Sequence, residues 1–164
     1  MTSHDPSGID HDVHVAEPTR SAEPLDAATA ARVRESFARQ GAMETLGAEL
    51  GDVAAGRVVI CLPIEPRVSQ QNGFVHAGVV VAALDSACGY AALTLMPDDA
   101  EVLTVELKVN LLAPAGGDRL VAEGQVVRAG RTLTVCRGDA YAEQAPERVH
   151  VATLLATMVR RRAG

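Results

Sequence analysis

The most regular hydrophobic pattern in the chain lies between Val102 and Leu112. Polar side chains at Thr104, Glu106, Lys108 and Asn110 alternate there with apolar ones. The apolar positions are Leu103, Val105, Leu107, Val109 and Leu111. Because successive side chains of a strand point to opposite faces, this alternation predicts a strand with one buried face.

The stretch after Asp26 predicts a helix that packs on the edge of the domain. Asp26 is a suitable N-cap, and the following segment AATAARVRESFARQ is rich in residues that favour a helix. Apolar residues at Ala30, Val33 and Phe37 form a narrow stripe on it. Gly41 is in a position to end this helix.

A second, longer helix is predicted over residues 76–96, after a loop at residues 65–74. Its sequence is apolar on nearly all sides, so we expect it to lie inside the fold and not on a wet surface. The small residues Ala82, Ser86 and Gly89 are expected to let its backbone approach the neighbouring strands closely.

Runs of β-branched and apolar residues predict the other strands. They span residues 43–50, 57–64, 119–128, 131–143 and 148–161. A tight turn at Ala129 and Gly130 joins two of them into a hairpin. The order is helix, two strands, long helix and four strands, with short links between the later strands, which predicts an antiparallel sheet. We therefore predict an α+β fold in which this sheet wraps around one long central helix.

The composition predicts one folded domain and a tail. At 164 residues, 48% of them hydrophobic, the chain suits a single globular domain. Residues 1–24 are rich in His, Asp, Ser, Pro and Glu without periodicity, which predicts a disordered N-terminal tail. The domain is then expected to span residues 25–164.

Charge and cysteine usage argue against several classes of protein. A net charge of −6 and an aromatic content of 2% argue against a nucleic-acid partner. The three cysteines lie far apart, without a CxxC pair, and indicate buried reduced thiols as in cytoplasmic proteins. The longest apolar stretch is interrupted by Asp85, and the N-terminus has no apolar signal segment, so no membrane association is expected. A soluble, cytoplasmic protein is expected.

Asp85 conflicts with its surroundings, since it lies in the otherwise apolar run VVVAALDSACGYAA. An ionised carboxylate in such a setting is costly unless it is paired or binds something. Asp85 is therefore the first candidate for chemistry. The simpler alternative is a salt bridge across a subunit interface.

The segment NGFVHAGVVVAALDSACGYAA resembles the helix-start motif of PaaI-type acyl-CoA thioesterases, which have the hotdog fold. That motif has a Gly, two residues, His-Gly-Gly and then an acidic residue about two turns into the helix. The matching residues are Gly73, His76, Ala77, Gly78 and Asp85. LTVELKVNLLAPA and VVRAGRTLTVC resemble the family's next strand and later hairpin, so the resemblance covers about residues 43–161. It implies hydrolysis of an acyl-CoA to a free acid and coenzyme A, with no metal or separate cofactor.

The resemblance implies roles for the residues of this motif. Asp85 would act as nucleophile or general base toward the thioester carbonyl. First-turn N–H groups of a helix lack internal partners, so Ala77 or Gly78 is expected to donate one to the thioester oxygen. The family's usual donor is a Gly at the position of Ala77. His76 is expected to cap or orient the turn, because nine residues of helix place it about 180° from Asp85.

Three polar residues are secondary candidates. In many relatives an Asn six residues before the His helps to hold the attacking water, and Gln70 stands at that position. Asn72 is the competing candidate, although Asn72-Gly73 also fits a plain turn. Thr104 matches a hydroxyl residue near the carboxylate in some relatives, or it is simply a polar residue of its strand.

The hairpin and the assembly complete what the resemblance implies. Arg128, Gly130 and Arg131 correspond to a hairpin near the coenzyme A phosphates, which suit guanidinium groups; solvated strand ends are the alternative. A homodimer is implied, and in many relatives a tetramer, with the central helices side by side. Asp85 would then face the loop at residues 70–78 of the other subunit, so that the sites lie at the subunit interface.

Two other functions are considered. A hotdog hydratase or dehydratase acting on enoyl or hydroxyacyl thioesters usually relies on a His with an acidic partner, and Asp85 has no suitably phased His in its own chain. A non-catalytic acyl-CoA-binding protein would bind without hydrolysis. The low aromatic content predicts an acyl pocket lined by aliphatic side chains.

Overall fold

The computed structural model describes residues 25–162, so the predicted tail at residues 1–24 lies outside the described range. The helices are α1 (Ala27–Ala38), α2 (Gly41–Leu46) and α3 (Ala77–Leu93). The strands are β1 (Glu49–Ala54), β2 (Arg57–Pro63), β3 (Ala100–Leu111), β4 (Arg119–Ala129), β5 (Leu133–Gln144) and β6 (Glu147–Arg162). A short 3-10 turn, Pro66–Val68, lies in the loop before α3.

The strands form one antiparallel sheet in the order β1-β2-β4-β5-β6-β3. α3 packs on one face of this sheet and contacts β2, β3, β4, β5 and β6. Its residues Ala83, Leu84, Ala87 and Ala91 have no exposed surface. The fold is therefore α+β, with the sheet wrapped around one central helix in the hotdog arrangement, as predicted.

The sheet approaches α3 most closely at Gly124 of β4. A Cβ on Gly124 would collide with the carbonyl group of Ala87 and would lie 2.5 Å from the backbone nitrogen of Cys88. The small residues of α3 that were expected to permit close approach, Ala82, Ser86 and Gly89, do not explain this contact. A Cβ on Gly89, for example, would meet only Val102, at 4.0 Å. The glycine that this packing requires is on the strand.

Both long helices begin where the sequence predicts. The Asp26 carboxylate caps α1 by accepting a hydrogen bond from the Thr29 N–H at 2.9 Å, and this bond lowers the pKa of the carboxyl group. α3 begins directly after His76, but it ends at Leu93, before the predicted Met96. After Leu93 the chain continues in a tighter turn, in which the Leu95 N–H donates to the Ala92 carbonyl and the Met96 N–H to the Leu93 carbonyl.

α1 packs against the C-terminal part of α3 and stabilises its end. Arg32 donates hydrogen bonds to the carbonyl oxygens of Leu93 and Met96, both at 2.9 Å. The last carbonyls of a helix have no partners inside the helix, so Arg32 supplies what α3 lacks. The Phe37 ring meets the Tyr90 ring edge to face, with 5.8 Å between the centroids.

The segment after α1 differs from the prediction. Gly41 begins α2, whereas the sequence suggested that it ends α1. Residues 43–46, predicted as a strand, belong to α2, and Gly47 ends that helix with φ of +67°. The strand β1 starts only at Glu49 and continues to Ala54, beyond the predicted end of this strand at residue 50. Met43 and Leu46 are three residues apart, a spacing that puts both on one face of a helix, and here Met43 is buried and Leu46 packs against the core.

The buried face of β3 changes along the strand. A β-bulge just after Thr104 shifts the alternation by one residue. Thr104 therefore faces α3, whereas Leu103 and Val105 are 51% and 57% exposed, against the prediction of a continuous buried face. Beyond the bulge the predicted face does turn to the core, at Leu107 and Val109.

The cysteines are free thiols, with Cys88 and Cys136 buried and Cys61 half-buried. Burial raises the pKa of all three thiols, that of Cys136 to about 12, so they stay protonated and unreactive at neutral pH. This confirms the predicted buried thiols at two of the three positions. Within residues 25–162, no helix is both long and apolar enough to cross a membrane.

Candidate active site

The first turn of α3 distinguishes the two candidate N–H donors. His76 is the N-cap residue, and its Nδ1 accepts a hydrogen bond from the Gly78 N–H at 2.9 Å. This confirms the predicted capping role of His76, and it occupies the Gly78 N–H. The Ala77 N–H has no acceptor among residues 25–162, and Ala77 is exposed. Of the two candidates, only Ala77 has a free donor.

The loop before α3 orients Gln70. Its Oε1 accepts a hydrogen bond from the Asn72 N–H at 2.7 Å, so the Gln70 NH2 group points away from the turn. The Gly73 N–H closes the turn on the Gln70 carbonyl at 3.0 Å, and Gly73 has φ of +84°. Asn72 is exposed, and its side chain makes no hydrogen bond within the described chain. Asn72-Gly73 is thus a turn, and of the two side-chain amides only that of Gln70 is held by a hydrogen bond within residues 25–162.

Asp85 is half-buried and held by one hydroxyl group. Thr104 Oγ1 lies 2.7 Å from Asp85 Oδ1 and 3.2 Å from the sulfur of Met158. A hydroxyl has one proton and the carboxylate is the stronger acceptor, so the bond goes to Asp85. Within residues 25–162, Asp85 Oδ2 has no hydrogen-bond partner and no cation pairs with the carboxylate. The described residues also form no cluster of three His, Cys, Asp or Glu that suits a metal ion.

The candidate residues of one chain lie in two separate cavities. Asp85 and Thr104 line a groove of about 490 Å³ between α1, α3 and β3, here called the carboxylate groove. Gln70, Asn72, His76 and Ala77 line a second cavity of about 590 Å³ at the N-terminus of α3, here called the loop cavity. The rise of a helix places Ala77 and Asp85 about 12 Å apart along the axis. A single thioester group does not span that distance.

The β4–β5 hairpin carries the predicted arginines. Its loop is residues 130–132, one residue longer than predicted, and a Cβ on Gly130 would lie 2.6 Å from a backbone oxygen of β5. Arg128 and Arg131 are exposed and form no ion pair within the described residues. Sequence reasoning missed Arg160, whose backbone N–H donates a hydrogen bond to the carbonyl oxygen of Thr132 in this loop at 2.9 Å. This hydrogen bond brings a third exposed arginine to the hairpin.

The carboxylate groove is more polar than the sequence suggested. The hydroxyl groups of Ser36 and Tyr90 lie 3.4 Å apart in its wall. Gln40 Nε2 donates to a serine hydroxyl of α3 at 3.1 Å, and Arg39 also lines the groove. The lining of this groove is not aliphatic throughout because the polar side of α1 forms one wall, whereas the loop cavity is lined mainly by apolar side chains. Sequence reasoning gave α1 a packing role alone.

Comparison with known proteins identifies relatives of this fold and site. The sequence model of the thioesterase superfamily matches residues 72–148, which include α3, β3 and the β4–β5 hairpin. The solved structure of a thioesterase family protein from Silicibacter pomeroyi is 50% identical to this chain, with a TM-score of 0.81. That match covers 82% of this chain and 99% of the other.

Two curated proteins are also similar. A putative esterase of Halobacterium salinarum is 33% identical over 117 residues, which cover 68% of this chain and 77% of that protein. The 1,4-dihydroxy-2-naphthoyl-CoA hydrolase of Listeria monocytogenes is 28% identical over 95 residues, which cover 58% of this chain and 77% of that protein. All three similar proteins bear the names of ester or thioester hydrolases.

Proposed function

The chain belongs to the thioesterase superfamily, a family of thioester hydrolases, and we propose that it hydrolyses an acyl-CoA thioester to a free acid and coenzyme A. The observation that carries the proposal is the Asp85 carboxylate, of which one oxygen is fixed by Thr104 and the other is unpaired within the described chain. The coenzyme A hydrolase among the relatives supports the choice of substrate. Coenzyme A is part of that substrate, and the proposal involves no separate cofactor.

A carboxylate held in this way supports two related routes. As a general base, Asp85 takes a proton from water, and the water oxygen adds to the acyl carbon. As a nucleophile, its free oxygen adds first, and water then cleaves the resulting anhydride. In both routes the carbon–sulfur bond breaks and the leaving thiolate takes up a proton. In a site shared by two copies, the NH2 group of Gln70 from one copy would orient the water beside Asp85 of the other.

The oxyanion that forms on the thioester oxygen needs a hydrogen-bond donor. The Ala77 N–H suits this role because it is free and lies at the positive end of the α3 dipole. The N–H of Gly78 does not suit it, since His76 already accepts that hydrogen bond.

The separation of Ala77 from Asp85 leads us to infer a homodimer with shared sites. β3 is the last strand of the sheet, so its outer edge is unpaired within the described chain, and its residues Leu103 and Val105 are exposed. A long apolar edge strand favours pairing with another strand. Because Thr104 of β3 contacts Asp85, a second copy paired along β3 would lie beside the carboxylate groove. Its loop at residues 70–78 would then supply the donor.

Thiol release from a panel of acetyl-, hexanoyl-, lauroyl-, phenylacetyl- and benzoyl-CoA tests the proposed reaction. We expect hydrolysis of at least one member. Loss of enoyl absorbance from an enoyl-CoA without thiol release would identify a hydratase instead. Saturable binding of acyl-CoA without thiol release from any member would identify a binding protein.

A further inference from the structure

One end of the carboxylate groove gathers hydrogen-bond donors. The hydroxyl groups of Ser36 and Tyr90 are 3.4 Å apart, farther than the usual O–H···O distance of about 2.7–2.8 Å, so both are able to bind a ligand. Burial raises the pKa of Tyr90, which keeps its hydroxyl protonated at neutral pH. Arg39 follows Ser36 by three residues and shares its side of α1, and its charge acts on the Tyr90 hydroxyl.

Arg39 is the one cation lining this groove that has no carboxylate partner within residues 25–162. Arg32, the other guanidinium of the lining, is bound to the carbonyl oxygens of Leu93 and Met96 and lies 3.9 Å from Asp98. Glu101, at the rim, pairs with Arg161 at 3.2 Å. This end of the groove therefore has a guanidinium without a carboxylate partner beside two hydroxyl groups, while the unpaired carboxylate of Asp85 lies further along the groove.

We propose that this end of the groove binds a carboxylate at the far end of the acyl group, so that the enzyme prefers monothioesters of dicarboxylic acids. This inference rests on the function proposed above. A guanidinium and two hydroxyl groups supply the donors that carboxylate oxygens accept. Tyr90 follows Asp85 by five residues, about 7.5 Å along the helix axis, which suits an acyl chain of medium length.

The matched substrates adipyl-CoA and hexanoyl-CoA test the proposal, because they differ only in a terminal carboxylate against a methyl group. We expect wild-type kcat/KM to be about tenfold or more higher for adipyl-CoA. Arg39→Ala is expected to abolish this preference through KM, and Arg39→Lys to retain part of it. Tyr90→Phe keeps the buried ring, and we expect it to lower kcat/KM for adipyl-CoA alone. Arg34→Ala is the control, because Arg34 lies on α1 but outside the groove. This variant should leave kcat/KM unchanged for both substrates.

Three results would contradict the account at different levels. Equal wild-type rates, or a preference for hexanoyl-CoA, would overturn the carboxylate site while leaving thioester hydrolysis intact. Equal losses on both substrates in Arg39→Ala would also overturn it, since the guanidinium would then contact the coenzyme A part. Failure to release thiol from both substrates and from the whole acyl-CoA panel would overturn the proposed function itself.

Discussion

Asp85 and Thr104 form the smallest unit on which the proposed chemistry depends. The Thr104 hydroxyl makes the hydrogen bond that orients the carboxylate, at 2.7 Å. Thr104→Val keeps the shape of the side chain and removes this donor. We expect kcat to fall about tenfold with little change in KM, because the hydrogen bond to a charged group is lost.

Steady-state kinetics of thiol release measure this effect, with Thr157→Val as the matched control. Thr157 lies on the neighbouring strand, and its hydroxyl reaches Glu106 at 3.4 Å, outside the carboxylate groove. An unchanged kcat in Thr104→Val would show that Asp85 does not need this hydroxyl.

At the scale of residues, the sequence identified Asp85 and the start of α3 as candidates. It did not identify the polar residues of α1 that line the carboxylate groove. Asp85 is conspicuous because it is a charged residue in an apolar run. The nine-residue spacing is enough to predict that Asp85 and His76 point to opposite sides of the helix. The choice between Ala77 and Gly78 needed the structure, since it depends on the rotamer of His76. Arg39 could not be found because its location depends on how α1 packs against α3.

The contact between α3 and β4 makes a prediction at the scale of elements. Gly124→Ala would force a methyl group into the Ala87 carbonyl, and we expect it to lower the free energy of unfolding by about 2–3 kcal/mol. Gly89→Ala, in contrast, has room and favours the helix, so stability should stay equal or rise by up to about 1 kcal/mol. Denaturant unfolding of both variants measures the difference. Equal stability of the two variants would contradict this packing.

The sequence predicted the ends of elements correctly where a recognisable residue or motif marks them. It missed features, such as the bulge in β3, that depend on tertiary packing. Asp26 marks the start of α1 because aspartate is a preferred N-cap residue, and the helix-start motif marks His76, which caps α3. The bulge in β3 has no comparable signal, since it inserts Val105 into an unbroken alternation. The sequence could not show that Leu103 and Val105, part of the predicted buried face, are exposed while Thr104 faces α3.

At the scale of the whole molecule, the central inference is a site shared by two copies. Asp85→Asn removes one half of the site, and Ala77→Pro removes the N–H of the other half. Proline is tolerated at the first helical position, and the extended backbone of His76 (φ −62°, ψ 135°) is compatible with a following proline. We expect each variant alone to be inactive and its helix to remain intact.

Co-expression of these two variants distinguishes shared sites from sites within one chain. In a mixed dimer, one shared site has both defects and the other has none. Random pairing should therefore restore about a quarter of wild-type activity. Sites confined to one chain would each keep a defect, so persistent inactivity of verified mixed dimers would contradict the shared site.

The role of Asp85 is tested most directly by thiol release from the preferred acyl-CoA with the wild type and Asp85→Asn. Asparagine keeps the size of the side chain and can still accept the hydrogen bond from Thr104, so the fold should be unchanged by circular dichroism and gel filtration. We predict that kcat falls by at least about 100-fold, because the carboxylate that activates water or attacks the thioester is lost. Turnover near the wild-type rate in this folded variant would contradict the mechanism.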